Sequence, residues 1–319
     1  ELDGRYFADH VLREGPAWQA GIRRGDEVVA IDRVAVADSP RLDHRVDDAY
    51  LPDPPTHFVR CEKNVAVTFS VRSERDQEAP AEIPVVPGYT STVEADRAAV
   101  RLLAEQGVQV GSVPIGLMTY GRAGAHLRDA LEGPLADCES VIVDIRGRGG
   151  SPVEVWACLA HLIRARARGV DFVLLTDGRT RSAKEILTQR IKAAGLALHV
   201  GERTAGAVRR SRFYRVGPDT WMLCPAFGLE STFSAELDGV EPDVPCADAL
   251  PWAHGRDPIL DAGLREAIRR RVGDDYIVGL RMSGSEDQRG GLAEEDLTEI
   301  AKQLVASGLI DFVNVVRGW

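Results

Sequence analysis

Apolar and polar residues alternate with a period of two along Val65–Val71, the mark of a half-buried strand. That run lies in a region, residues 1–88, of short β patterns punctuated by turn residues. The stretch Leu51–Pro55 holds three prolines and is expected to be an exposed loop, since proline cannot donate to a sheet ladder. Ser73–Pro80 is polar and predicts a hairpin turn, and Pro84–Pro87, followed by Gly88, predicts a linker. From Val93 the period changes. Helical spacing predicts helices over Val93–Gln106, Ala123–Leu135, Pro152–Arg166 and Ser182–Ala194. Short apolar runs between them predict strands at Pro114–Thr119, Ser140–Ile145, Phe172–Thr176 and Leu196–Val200. A hairpin is expected from Arg212–Val216 and Thr220–Cys224. Past Asp261 the pattern gives a basic helix over Arg265–Arg271, then strand Tyr276–Met282, helix Glu294–Ser307 and strand Ile310–Val316. The fold class is therefore mixed α/β: a β-rich domain at 1–88, an alternating α/β core at 89–262, and a short βαβ segment at 263–319.

Composition narrows the function. The chain has 319 residues, 44% hydrophobic and 28% charged, with a formal net charge of −10. That charge argues against a general nucleic-acid binder, which needs a basic face to displace counterions from phosphates. No apolar run reaches the 18 residues of a membrane span. The five cysteines (Cys61, Cys138, Cys158, Cys224, Cys246) include no CxxC pair, so neither a metal site nor a redox motif is expected. An odd, dispersed set predicts free thiols in a reducing compartment, hence the cytoplasm. The chain opens at Glu1 rather than Met; a removed leader would point to the periplasm or to secretion instead.

Two regions carry motifs. The run His10–Asp32 reads as a strand, a turn at Gly15-Pro16, a short helix stopped at Gly21, and a second turn at Gly25-Asp26 that feeds a buried strand. It resembles the signature of PDZ domains, which bind an extended peptide at a sheet edge. The strand and carboxylate-binding loop of that family are not evident in Glu1–Tyr6, and its peptide-binding residues are not assigned. In the core, Val141–Ser151 is an apolar strand ending in a glycine-rich loop before a helix, a geometry that aims backbone N–H groups at an anion. Leu174–Ile186 puts Ser182 at a strand-to-helix turn, where a serine serves either as a plain N-cap or as a nucleophile. Val200–Gly206 and Glu236–Val244 complete the set.

In this order, the segments Asp144–Ser151, Ser182–Glu185, Gly201–Gly206, Gly239–Val244 and Gly255–Asp261 resemble the tail-specific, or C-terminal processing, serine peptidases, including their tricorn-core and retinoid-binding-protein-like branch. The resemblance spans residues 8–262 and implies a core of the ClpP/crotonase type. It implies Ser182 as nucleophile, forming an acyl-enzyme, with the oxyanion between the Ala183 N–H and an N–H of Gly150 or Ser151. It also places Glu236 in the position of an active-site carboxylate, against the plain reading of a solvated turn acid. The implied partner is a polypeptide or an unstructured protein tail, with no cofactor; oligomeric state stays open, a homo-oligomer included. The chain departs from the family at the base. Where one branch has a lysine, this chain has Ala207, and where the other has a histidine, it has Thr119. Lys184 lies two residues along the helix from Ser182, about 200° around the axis, and should point away. His126, His161 and His199 remain as candidates. The expected activity is that of a serine endopeptidase, with a catalytically impaired, peptide-binding homologue as the alternative. The last 47 residues or so, from Val272, resemble a fragment of the old yellow enzyme family of flavin-dependent barrels. Two strands and a helix cannot close such a barrel, so no flavin is inferred.

Overall fold

The computed structural model describes residues 1–9, 11–43, 57–75, 77–88, 92–105, 108–118, 121–208, 211–225, 238–273, 279–283, 298–299, 301–302 and 312–316. The chain divides into two compact units, Glu1–Ala267 and Ile268–Trp319.

Within the first unit, the central sheet has six strands, in spatial order Val244–Pro245, Ala197–Gly201, Asp171–Thr176, Ser140–Asp144, Val108–Pro114 and Arg101–Glu105. The first five are parallel and the last is antiparallel to its neighbour. Parallel strands are buried on both faces, which explains the unbroken apolar runs in the sequence. One face presents Val113, Val141, Val143, Phe172 and Leu174 to the helices Ala123–Glu132, Pro152–Ala167 and Ala183–Ala193, all nearly devoid of solvent contact. Because the strands run the same way, the loops that follow Ser140–Asp144, Asp171–Thr176 and Ala197–Gly201 all emerge at one edge of the sheet. Sites in such folds form outside the carboxyl ends of the strands.

The β-rich module is a smaller sheet ordered Tyr6–Phe7, Glu27–Ile31, Val67–Arg72 and Ala81–Val85, with Val34–Ala35 paired to Glu27–Ile31. Its short helix Pro16–Gln19 starts on proline, whose missing N–H costs nothing in a first turn. The module docks on core residues 248–256: Trp252 N–H donates to the Gly25 carbonyl (2.9 Å), Gly255 N–H to Arg24 (2.7 Å), and Phe7 meets the Trp252 ring edge-on at 5.2 Å.

Four expectations change. Val93–Gln106 is not one helix: the helix is Thr92–Ala98, and Arg101–Glu105 is a strand. Leu102, Leu103 and Ala104 favour helices locally, but the open edge of Val108–Pro114 offers a full ladder of backbone partners, and pairing overrides propensity. The strand expected at Pro114–Thr119 lies earlier, at Val108–Pro114. Pro84 belongs to the edge strand Ala81–Val85, where a missing donor is tolerated, and not to a linker. Glu1–Tyr6 leads into a strand, Tyr6–Phe7, which pairs with Glu27–Ile31. The loop at Leu51–Pro55 lies outside the described residues.

The second unit contains Gly279–Ser283 paired in parallel with Phe312–Val316, and helical residues at 298–299 and 301–302.

Candidate active site

Ser182 sits between the strand Asp171–Thr176 and the helix Ala183–Ala193, as its N-cap, with φ 58° and ψ −123°. A side-chain-bearing residue in this region is strained by about 1–3 kcal/mol and persists only where its surroundings dictate it. They do so here. The Ser182 N–H donates to Glu185 Oε2 at 2.9 Å and to the Ala207 carbonyl at 3.1 Å. Glu185 is fully buried. Its Oε2 also accepts from the Ala207 N–H (2.9 Å), and its Oε1 accepts from the Thr204 hydroxyl (2.7 Å) and the Gly206 N–H (2.6 Å). Burial raises the Glu185 pKa, and these four donors work against that rise. Hydrogen bonds to a charged group contribute about 1.5–3 kcal/mol each. Four of them are enough to hold the strained turn even after desolvation of the carboxylate offsets part of the gain.

The glycine-rich loop lies against this turn. A β-carbon on Gly149 would stand 2.8 Å from the Ser182 β-carbon and closer still to the Arg181 carbonyl, so only glycine allows the approach. Gly150 meets Met118 in the same way. The Ser151 N–H donates to the Met118 carbonyl at 2.8 Å and the Met118 N–H to Gly149 at 3.3 Å. The Ser151 N–H is therefore already engaged. The N–H groups of Gly150 and Ala183 donate to none of the described residues, which leaves them as the pair open to an oxyanion.

The remaining motifs brace these two loops. Arg146 forks between Asp144 and Asp257 with contacts of 2.7–2.9 Å, tying the glycine loop to the Gly255–Asp261 segment. Burial alone would raise the Asp144 pKa, but Arg146 overrides it and the net direction is down. Asp177 Oδ1 accepts from the Gly147 N–H (2.9 Å) and the Thr180 hydroxyl (2.8 Å), joining the glycine loop to the Ser182 turn. Thr204 receives the Val240 N–H at 2.8 Å, which docks the Gly239–Val244 motif. Asp9 of the β-rich module pairs with Arg179, and Arg148 of the glycine loop lies 5.5 Å over the Phe58 ring.

Among the described residues, none of the candidate bases Lys184, His126 and His199 is bonded to Ser182. Ala207 is next to it, as the Ser182 N–H bond shows, and carries only a methyl group. Lys184 points away, as its helical position predicts: its Nζ, wholly buried, donates to the carbonyls of Gly116 and Arg146 at 2.9 Å each. Burial lowers its pKa to about 8, with Asp177, Asp144 and Asp96 opposing. His126 bonds the Pro114 carbonyl (2.9 Å) and His199 the Thr176 hydroxyl (2.6 Å). Burial lowers both pKa values, that of His199 to about 4. His161 lies within the helix Pro152–Ala167, and burial lowers its pKa as well. Glu236 and Thr119 lie outside the described residues. No cluster of metal-binding side chains occurs among the described residues, and no described helix is long and apolar enough to cross a membrane.

The bracing of Arg146 by Asp257 and the burial of Lys184 and Asp96 were not legible from the sequence. Both are contacts between segments far apart in the chain, and only the motif at Gly255–Asp261 hinted that something there mattered.

Comparison with known proteins agrees with this architecture. Residues 164–246, which include Ser182 and the Gly201–Gly206 loop, match the model of Peptidase family S41. The fold is that of a solved protein from Bacteroides fragilis described as an S41 protease: TM-score 0.54, 15% identity, with 86% of this chain and 81% of that one covered. A photosystem II D1 C-terminal processing protease aligns over 76% of this chain and 70% of its own, at 17% identity and TM-score 0.43. A stretch of 53 residues is 47% identical to a protein of Rhizobium meliloti described as an N-methylproline demethylase. That stretch is 17% of this chain and 8% of that protein, so the chain matches under a tenth of the length of the curated relative. This accords with a short C-terminal piece that resembles part of a second enzyme family. The segment that bears the Ser182 turn is thus similar to Peptidase family S41 over residues 164–246, and the fold resembles that of a solved protein described as an S41 protease.

Proposed function

We propose that this protein is a serine endopeptidase that cleaves peptide bonds in unstructured tails or peptides through an acyl-enzyme on Ser182. The observation that carries this reading is the strained backbone of Ser182, over-determined by Glu185 and Ala207 at a helix N-terminus. In this account Ser182 Oγ attacks the scissile carbonyl, and its carbon–nitrogen bond then breaks to release the amine. The developing oxyanion is held by the Gly150 and Ala183 N–H groups and by the positive end of the Ala183–Ala193 helix. The hydroxyl proton must pass to a base and on to the leaving amine. Glu236 belongs to the proposal as a site carboxylate. All five cysteines are free, which supports a reducing, cytoplasmic location.

A second reading is favoured by one observation, the methyl group of Ala207 where a proton acceptor would stand. It makes the chain a peptide-binding homologue with little turnover. Incubation with an unstructured polypeptide, followed by mass spectrometry, separates the two. Cleavage that disappears in Ser182→Ala supports the peptidase; cleavage that survives in that variant rules out Ser182. Binding without cleavage supports the second reading.

A further inference from the structure

We propose that Lys184 is a positioning residue for the Ser182 site, acting with Asp96 to clamp segment 115–118 against the glycine loop so that the Gly150 N–H is held as an oxyanion donor. The proposal rests on the peptidase reading of Ser182 but gives Lys184 and Asp96 a role that the resemblance above does not imply.

The geometry is a two-sided grip on Gly116. Asp96 Oδ2 accepts the Gly116 N–H at 2.9 Å, and Lys184 Nζ donates to the Gly116 carbonyl at 2.9 Å. The peptide groups on both sides of the Gly116 α-carbon are thus fixed by buried side chains. The same Nζ donates to the Arg146 carbonyl at 2.9 Å, on the residue that opens the glycine loop. Two residues beyond Gly116, Met118 makes the bonds that set the loop's path: it accepts from the Ser151 N–H and donates to the Gly149 carbonyl. Met118 and Gly150 form an isolated parallel bridge, and Gly150 packs directly on Met118. One ammonium therefore joins both ends of the structure that aims Gly150.

Chemistry points the same way. Burying an ammonium is costly, and a well-packed apolar side chain at such a place is commonly as stable or more so. Lys184 is nevertheless fully buried, and Asp96 is 9% exposed. A charged donor that reaches two carbonyls on separate loops supplies register between them, which a methionine of similar length would not.

The test compares wild type with Lys184→Met, which keeps the length and removes the donors. Two readouts are taken. Amide exchange follows Ser151, whose N–H bond to Met118 is the last link of the clamp, against the amides of the Pro152–Ala167 helix. Fluorophosphonate kinetics split inhibitor affinity from the first-order rate of Ser182 phosphonylation. The proposal expects Ser151 exchange to accelerate about tenfold or more with the helix unchanged. It expects phosphonylation to slow by about 100-fold, the scale of losing one oxyanion donor, at unaltered inhibitor affinity. Asp96→Ala should move both readouts in the same direction, and Asp96→Asn, which keeps an acceptor for the Gly116 N–H, should restore them; this pair decides the matter if Lys184→Met does not fold. Unchanged Ser151 exchange, or a uniform loss of protection across the core, overturns the clamp. A wild-type protein that takes no phosphonate defeats the peptidase reading, while the exchange readout still decides the clamp.

Discussion

The two sides of the Ser182 hydroxyl differ sharply. On the oxyanion side the scaffold is braced: Glu185 accepts hydrogen bonds from four donors, Arg146 joins two carboxylates, and two backbone N–H groups stand open. On the base side, Ala207 is held by its own N–H and carbonyl in direct contact with the turn, yet it offers no proton acceptor. Scaffold and chemistry are therefore separable here. The contacts that shape the turn come from backbone groups and from Glu185, and none depends on what the side chain at 207 is. The geometry around Ser182 therefore does not require a particular side chain at position 207.

That contrast can be sharpened most by restoring the missing group. Ala207→Lys should raise the rate of Ser182 phosphonylation by about 100- to 10,000-fold, the range of general-base assistance, without moving the melting temperature much. A variant that folds but labels no faster would mean that the slot is misplaced or that another base already works. Breaking the braced side should instead cost stability. Arg146→Met leaves the half-buried Asp144 and Asp257 without their cation, and urea unfolding should show a loss of about 1–3 kcal/mol. Glu185→Gln presents an amide N–H₂ to a group of donors and should cost about 1–3 kcal/mol in the same assay, with phosphonylation slowed in parallel. The smallest effect concerns pH. The folded pKa of His199, about 4, lies below its ordinary 6.5, so the unfolded chain binds more protons between those values. Stability from this group is complete above pH 6.5 and is lost as pH falls towards 4. Asp96, raised to about 6, acts with the opposite sign over part of that window. The readout is accordingly the difference between wild type and His199→Gln, which should shrink on acidification from pH 6.5 to 4.

Much of the α/β core was legible because its strands are buried on both faces and its loops are marked by glycine. Ser140–Asp144, Asp171–Thr176 and Ala197–Gly201 lie within a residue or two of their expected places. The edge strand Arg101–Glu105 was not legible, since its leucines and alanine fit a helix equally well and only the neighbouring strand decides. At the candidate site, the strand-to-helix turn at Ser182 and the glycine loop at Gly150 are marked by local motifs. The engagement of the Ser151 N–H does not, because its partner Met118 comes from another loop. The clamp of Lys184 and Asp96 on Gly116 was hidden for the same reason: sequence spacing shows where Lys184 cannot point, not what it meets when it arrives.

The most direct test of the central claim is the mass of the folded protein after treatment with a fluorophosphonate, with the modified peptide mapped. The account predicts a single adduct on Ser182, slow in the wild type, rapid in Ala207→Lys and absent in Ser182→Ala. An adduct on another residue, or none in either the wild type or Ala207→Lys, would contradict it.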